Sequence, residues 1–236
     1  MKILLFLNSD IHSAKALEIL FSDLKKHEVK IILSQNVGKV LDLSSEIVEM
    51  KRLEKFGAEE SLRNLARNLN SEIVGFDDVN APSSIDELAK FSPDLAISIR
   101  FGQIFKSGII GLPRLGVLNL HSGILPNYRG VMASFWTILN GEKKLGTTLH
   151  YVRDSGIDTG DVVGFSEKEI DWDCSLLVNI NQLYHGGCGL ILEALQKVSM
   201  GEKIQTIDQK TLGAGSYFSY PKQSDVDGFL KLMRFF

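Results

Sequence analysis

Short apolar runs separated by stretches of helical periodicity govern what this chain can fold into. Ile3 to Leu7 is an unbroken apolar run closed by the turn-formers Asn8-Ser9-Asp10, as a strand buried on both faces would be. Leu17, Leu20, Phe21 and Leu24 then recur at helical spacing, with Ser13 the candidate cap. Val29–Leu33 predicts a second strand and Ile73–Phe76 a third. Between them Glu46–Leu69 mixes both charge signs with Leu62, Leu65 and Leu69, the pattern of one solvent-facing amphipathic helix. Ser84-Ile-Asp-Glu87 has the form of a capping box opening a short helix before Pro93. Asp94–Ile99 and Gly116–His121 complete five strands, and alternation of this kind requires a mostly parallel sheet covered on both faces.

After residue 140 the pattern changes. Leu145–Val152 and Asp161–Phe165 predict two strands joined by the polar stretch Arg153–Gly160. A helix near Ser175–Met200 carries Leu177, Ile180, Tyr184, Cys188, Ile191 and Leu195 on one stripe. Gly186, Gly187 and Gly189 inside it mark either close packing or a kink. The expected organisation is one domain over 1–200 and a short polar and aromatic extension over 201–236. With 44% apolar and 23% charged residues a sizeable core is available, and a formal net charge of −3 argues against a surface built to grip nucleic acid. Two cysteines, Cys174 and Cys188, make neither a disulfide framework nor a four-thiolate zinc site. The first apolar run is too short for a signal peptide or a membrane span, so a cytoplasmic protein is expected.

Sites in open parallel sheets form at the carboxyl ends of the strands. The fifth strand ends in Val117-Leu-Asn-Leu-His121, and strand alternation sends Asn119 and His121 to one face, about 6.6 Å apart along the backbone. Asn supplies a neutral donor for a developing oxyanion; His donates when protonated and accepts a proton when neutral. Asp154 and Asp158, in the loop between the next two strands, can bring a carboxylate to the imidazole. Such a set suits attack by an amine on an acyl carbon without a covalent protein intermediate. No compact His-x-x-x-His or Glu pair accompanies His121, His150 and Asp158, so no metal is expected.

Asn119-Leu-His121-Ser-Gly-Ile-Leu-Pro126-Asn-Tyr-Arg-Gly130, then Gly146-Thr-Thr-Leu-His150 and Asp154-Ser-Gly-Ile-Asp158-Thr-Gly-Asp161, resembles the formyltransferase family that uses 10-formyltetrahydrofolate. The likeness covers roughly residues 70–195. It implies that Asn119, His121 and Asp158 are catalytic, with Asn119 and His121 on the oxyanion and His121 moving protons. It gives His150 either a direct or a supporting part. It implies that the folate lies against Arg100, Phe101, Gly102, Ile104, Asp154 and Ile157. Arg100 is left between an internal pairing with an acidic residue, the folate's glutamate and a substrate phosphate.

Several acceptors occur in that family. The methionyl-tRNA branch carries a further C-terminal barrel and a basic surface, and the purine-pathway branch a Gly-rich turn where this chain has Asn8-Ser-Asp-Ile-His-Ser13. The hydrolase branch carries an extra N-terminal domain. The resemblance is therefore taken to the sugar N-formyltransferases, whose acceptor is a nucleotide-linked amino sugar, here expected to be dTDP-linked and used in surface-polysaccharide synthesis. Asn8, Ser9, Tyr128, Tyr217 and Tyr220 are the expected acceptor contacts, with Tyr217, Phe218 or Tyr220 stacking on the base, docking the tail or forming a dimer contact. A homodimer is expected. The alternatives are a purine-pathway formyltransferase or a non-catalytic folate-binding module.

Overall fold

The structure is a computed structural model that describes residues 1–34 and 43–233. Its frame is a seven-stranded sheet in the order β3-β2-β1-β4-β5-β7-β8. The parallel strands are β1 (Lys2–Asn8), β2 (Glu28–Ser34), β3 (Ile73–Gly75), β4 (Leu95–Ile99) and β5 (Val117–His121). β7 (Lys144–Val152) and β8 (Val162–Glu169) add antiparallel at one edge. A two-residue strand β6 (Arg129–Gly130) lies between β5 and β7 in sequence, outside this sheet.

Alternation along β1 shows how both faces are covered. Ile3, Leu5 and Leu7 enter the larger core, under α1 (Ile11–Leu24), α3 (Ala58–Asn68) and α7 (Leu176–Ser199). Leu4 and Phe6 enter the smaller one with Leu88 of α4 (Pro82–Lys90) and Ile109 of α5 (Ser107–Ile110). A strand that must satisfy two apolar layers has no room for polar residues until it leaves the sheet, hence the sharp stop at Asn8. No helix among the described residues is long and apolar enough to cross a membrane.

Three local expectations are corrected. Asp10, not Ser13, caps α1, its carboxylate accepting from Ser13 N at 2.7 Å. The stretch read as one helix is two, α2 (Ser45–Lys55) and α3, parted at Phe56-Gly57 where Gly57 takes φ +69°. α4 begins at Pro82 behind Ala81, and the Ser84 hydroxyl donates to Asp78 O instead of capping.

Gly186 and Gly187 in α7 are sites of close packing. A Cβ on Gly186 would run into the Ser166 side chain of β8, and one on Gly187 would meet Leu120 and Thr147 at 3.0 Å. Gly189 has nothing within 4 Å, so its cost in helix propensity is not offset there.

The last described segment returns to the centre. β9 (Tyr217–Phe218) pairs in parallel with β6, and α8 (Gln223–Phe229) packs on α6 (Ala133–Leu139), stacking Phe229 on Phe135 at 4.5 Å. Val226 and Phe229 are fully buried in the larger core.

Candidate active site

The strand order reverses between β1 and β4, and a cavity of about 490 Å³ opens at the carboxyl ends near that point. Asn119 and His121 reach it from β5 and Asp158 from the β7–β8 loop. The register sets His150 of β7 directly opposite Asn119.

Asp158 is the centre of this group. Its Oδ2 accepts from Gly130 N at 2.9 Å and lies 3.5 Å from His121 Nδ1, while Oδ1 lies 3.5 Å from both His150 Nε2 and Asn119 Nδ2. Burial alone would raise its pKa. His121, His150 and the Gly130 amide outweigh burial and bring it down to about 2. The residue sits at φ +54°, a conformation non-glycine residues seldom adopt, and the loop that aims its carboxylate inward holds it there.

Hydrogen-bond logic fixes the rings. A carbonyl only accepts, so His121 Nε2, 2.6 Å from Tyr128 O, carries a hydrogen, and Nδ1 is left facing Asp158. His150 Nδ1 likewise donates to Tyr151 O at 3.0 Å, which leaves Nε2 to accept from Asn119 Nδ2 at 3.0 Å. The amide of Asn119 is thereby held in one orientation. A neutral amide donor, an imidazole nitrogen and a carboxylate thus meet at the cavity, a set that can polarise an acyl oxygen through Asn119 and take up a proton through His121.

The cavity is also lined by Arg100, Phe101, Gly102, Ile104, Asp154, Ile157, Tyr217 and Tyr220, all picked out in the sequence. Phe101 stacks on Phe105 at 5.4 Å and meets Phe6 edge-on at 5.1 Å, making an aromatic wall. Ile104 and Ile157 come from different loops and stay 53% and 37% exposed beside it. Exposed apolar side chains on a cavity with backbone groups between them suit a flat ligand with polar edges, so these residues fit a folate ring.

Arg100 lines the cavity with its charge turned inward. Its guanidinium donates to Asp10 Oδ2 at 2.7 Å and to Glu54 Oε1 at 2.8 Å, the internal pairing among the three roles expected for it. Burial would raise both carboxylates, but Arg100 holds each below its ordinary range, assisted at Glu54 by His12. His12 Nε2 lies 3.4 Å from Glu54 without hydrogen-bond geometry.

Asn8, Ser9 and Tyr128 do not line the cavity. Asn8 is 4% exposed, its amide donating to Asp10, and Ser9 N donates to Ser34 O, so the β1 exit turns in toward β2. Tyr128 is buried against Phe218, with its hydroxyl on Glu142; its contribution is the carbonyl that holds His121.

Met50, Lys51 and Glu54 of α2, and Leu176 and Ile180 of α7, line the cavity and were missed in the sequence. One signal was available: Glu54 continues the spacing of Ile47 and Met50, a carboxylate on the apolar stripe of α2. Among the described residues no group of three or more His, Cys, Asp or Glu is arranged to hold a metal ion.

The sequence model of the family described as Formyl transferase matches residues 19–181. Methionyl-tRNA formyltransferase of Citrifermentans bemidjiense is 34% identical over 126 residues, which are 53% of this chain and 39% of that protein. The chain thus spans about two fifths of the length of such curated relatives. The N-formyltransferase of Helicobacter canadensis, solved with folinic acid and dTDP-3-aminofucose, superposes with a TM-score of 0.60 at 22% identity, covering 93% of this chain and 71% of that one. Glycinamide ribonucleotide transformylase 1 of Symbiobacterium toebii gives 0.64 at 15% identity, covering 87% and 92%.

Proposed function

This chain belongs to the formyl transferase family, and on that premise we propose that it transfers a formyl group from 10-formyltetrahydrofolate to the amine of a nucleotide-linked amino sugar. The observation that carries the reaction is the convergence of Asn119, His121 and Asp158 on one cavity. Tyr217 and Tyr220 on the same cavity support the acceptor class, since aromatic faces stack on any base. The solved relative named with dTDP-3-aminofucose supports it as well.

The folate, when bound, supplies an activated formyl group. Phe101, Gly102, Ile104 and Ile157 would hold its ring, and Asp154 would stand at the loop's edge. While His150 holds one Nδ2 hydrogen of Asn119, the other, now in a long 3.5 Å contact with Asp158 Oδ1, would pass to the acyl oxygen. Asp158, ionised across the working pH range, faces His121 Nδ1 with a negative oxygen, so a proton from the attacking amine would be held there and passed to the folate nitrogen as its bond to the formyl carbon breaks. The exposed side chains of Ile104 and Ile157 limit water around the reacting centre once they are covered.

A second reading, formylation of the aminoacyl group of methionyl-tRNA, is favoured by the identity to the curated relatives. One assay separates the two: purified protein with 10-formyltetrahydrofolate and dTDP-, UDP- and GDP-linked amino sugars or methionyl-tRNA, with product identified by mass. Formylated amino sugar is expected, and turnover of methionyl-tRNA alone would overturn the proposal. His121→Asn is expected to lower kcat by about a thousandfold or more, with binding of 5-formyltetrahydrofolate retained.

A further inference from the structure

Among the described residues, one cation on the cavity has no carboxylate within 4 Å. Lys51 of α2 is half-buried and lines the cavity together with Tyr220. Its Nζ donates to Tyr220 Oη at 2.7 Å and sits 4.4 Å from the centre of that ring. Among the described residues this phenol is its one hydrogen-bond partner, and no carboxylate comes within 4 Å. Glu54 acts on it from farther off, because the Glu54 oxygens are turned to Arg100 and His12. Burial pushes the Lys51 pKa below the ordinary lysine range, with Glu54 opposing.

The other basic groups around the cavity are spoken for. Arg100 is ion-paired with both Asp10 and Glu54, and Arg153 stacks over Tyr151 and faces Asp161 at 3.5 Å. An ammonium that has lost part of its water, with one of three N–H groups bonded inside the protein, binds best to an anion brought by a ligand. As a compact point charge it suits a phosphate oxygen without the planar match that a guanidinium demands.

We infer that Lys51, walled by Tyr220, is the anchor for an anionic group of a ligand, and that this anion is the acceptor's phosphate rather than the donor's carboxylate. The placement favours the acceptor: Lys51 and Tyr220 belong to α2 and the C-terminal segment, while the apolar wall suited to a folate ring is built by the β4 exit and the β7–β8 loop. Lys51 takes the part that the sequence offered to Asn8 and Ser9, whose side the fold closes. The nucleotide-sugar version of this inference rests on the proposed function; the anion site itself does not.

The test titrates wild type, Lys51→Met and Lys51→Arg with dTDP, with inorganic pyrophosphate and with 5-formyltetrahydrofolate. Lys51→Met is expected to weaken dTDP and pyrophosphate about tenfold to a hundredfold. Binding of 5-formyltetrahydrofolate should stay within about twofold, Lys51→Arg should recover most of the loss, and all three proteins should share one thermal midpoint within about 2 °C. In turnover the loss should fall on KM for the acceptor and leave kcat in place. Unchanged dTDP and pyrophosphate binding in Lys51→Met would overturn the inference, and so would a loss confined to 5-formyltetrahydrofolate. Lys51-dependent pyrophosphate binding with no turnover of any nucleotide sugar would uphold the site and sink the proposed acceptor. Absence of pyrophosphate and dTDP binding in wild type would sink the site outright.

Discussion

Asp158 is a single residue in which stability and the proposed chemistry would share one charge. Its pKa of about 2 lies below the ordinary carboxylate value of 3.8, so ionisation favours the folded state. That contribution is complete above pH 4 and disappears as pH falls through 2; its size is about 2 kcal/mol. Asp158→Asn should therefore lower the urea midpoint at pH 7, and the gap to wild type should shrink to about half by pH 3. Its turnover should fall at least a hundredfold, because the amide puts no negative charge beside His121 Nδ1. The pairing of Asn119 with His121 was legible in the sequence, since strand alternation dictates it. The role of Arg100 was not: a cation after an apolar strand signals that some anion must be near, and only the fold says that Asp10 and Glu54 get there first.

At the scale of elements, the β6–β9 pair clasps the site's loop. Arg129 N donates to Ser216 O and Val131 N to Phe218 O, bracketing Gly130, whose own amide holds Asp158. Gly215 sits at φ +67° against the Pro126 carbonyl, where any Cβ would collide. Gly215→Val should unseat β9, lower the melting temperature by several degrees and cut turnover more than tenfold. It should also shift the fluorescence of Trp136, which stacks on Phe218 and donates to Ser219 O. Gly141→Ala is the control: φ is +79° but nothing lies within 4 Å, so it should lose stability by about 1 kcal/mol and keep its rate. The strands were readable because a doubly buried strand has to be an uninterrupted apolar run. The split of α2 from α3 and the start of α4 were not, because Gly57 and Pro82 look like minor blemishes within longer helical patterns. The pairing of Tyr217 and Phe218 with β6 escaped for another reason: a two-residue strand leaves no periodicity to read.

Across the whole molecule, Asp10, Arg100 and Glu54 fasten the ends of β1 and β4 to α2 through charges almost out of water. Arg100→Met would leave two buried carboxylates without their cation, at a cost of about 3–5 kcal/mol at pH 7.5. Both carboxylates have native pKa values below their ordinary range, so what they contribute in wild type is present at neutral pH and lost on acidification. Without Arg100 their protonation relieves the buried charge instead. The unfolding midpoints of Arg100→Met and wild type should accordingly converge between pH 7.5 and pH 4.5, and a gap that held constant would show the network to be worth no more than its packing. All the strands of the main sheet and the buried charge cluster come before α7 ends, yet the loop carrying Gly130 is also clasped by Ser216 and Phe218, far downstream. A nascent chain whose Phe218 is still inside the ribosomal exit tunnel therefore has its sheet strands but not yet the β9 half of the clasp on the loop that aims Asp158. The strand that carries Asn119 and His121 is thus laid down before the contact that sets the aim of Asp158 can close, an order fixed by the direction of synthesis.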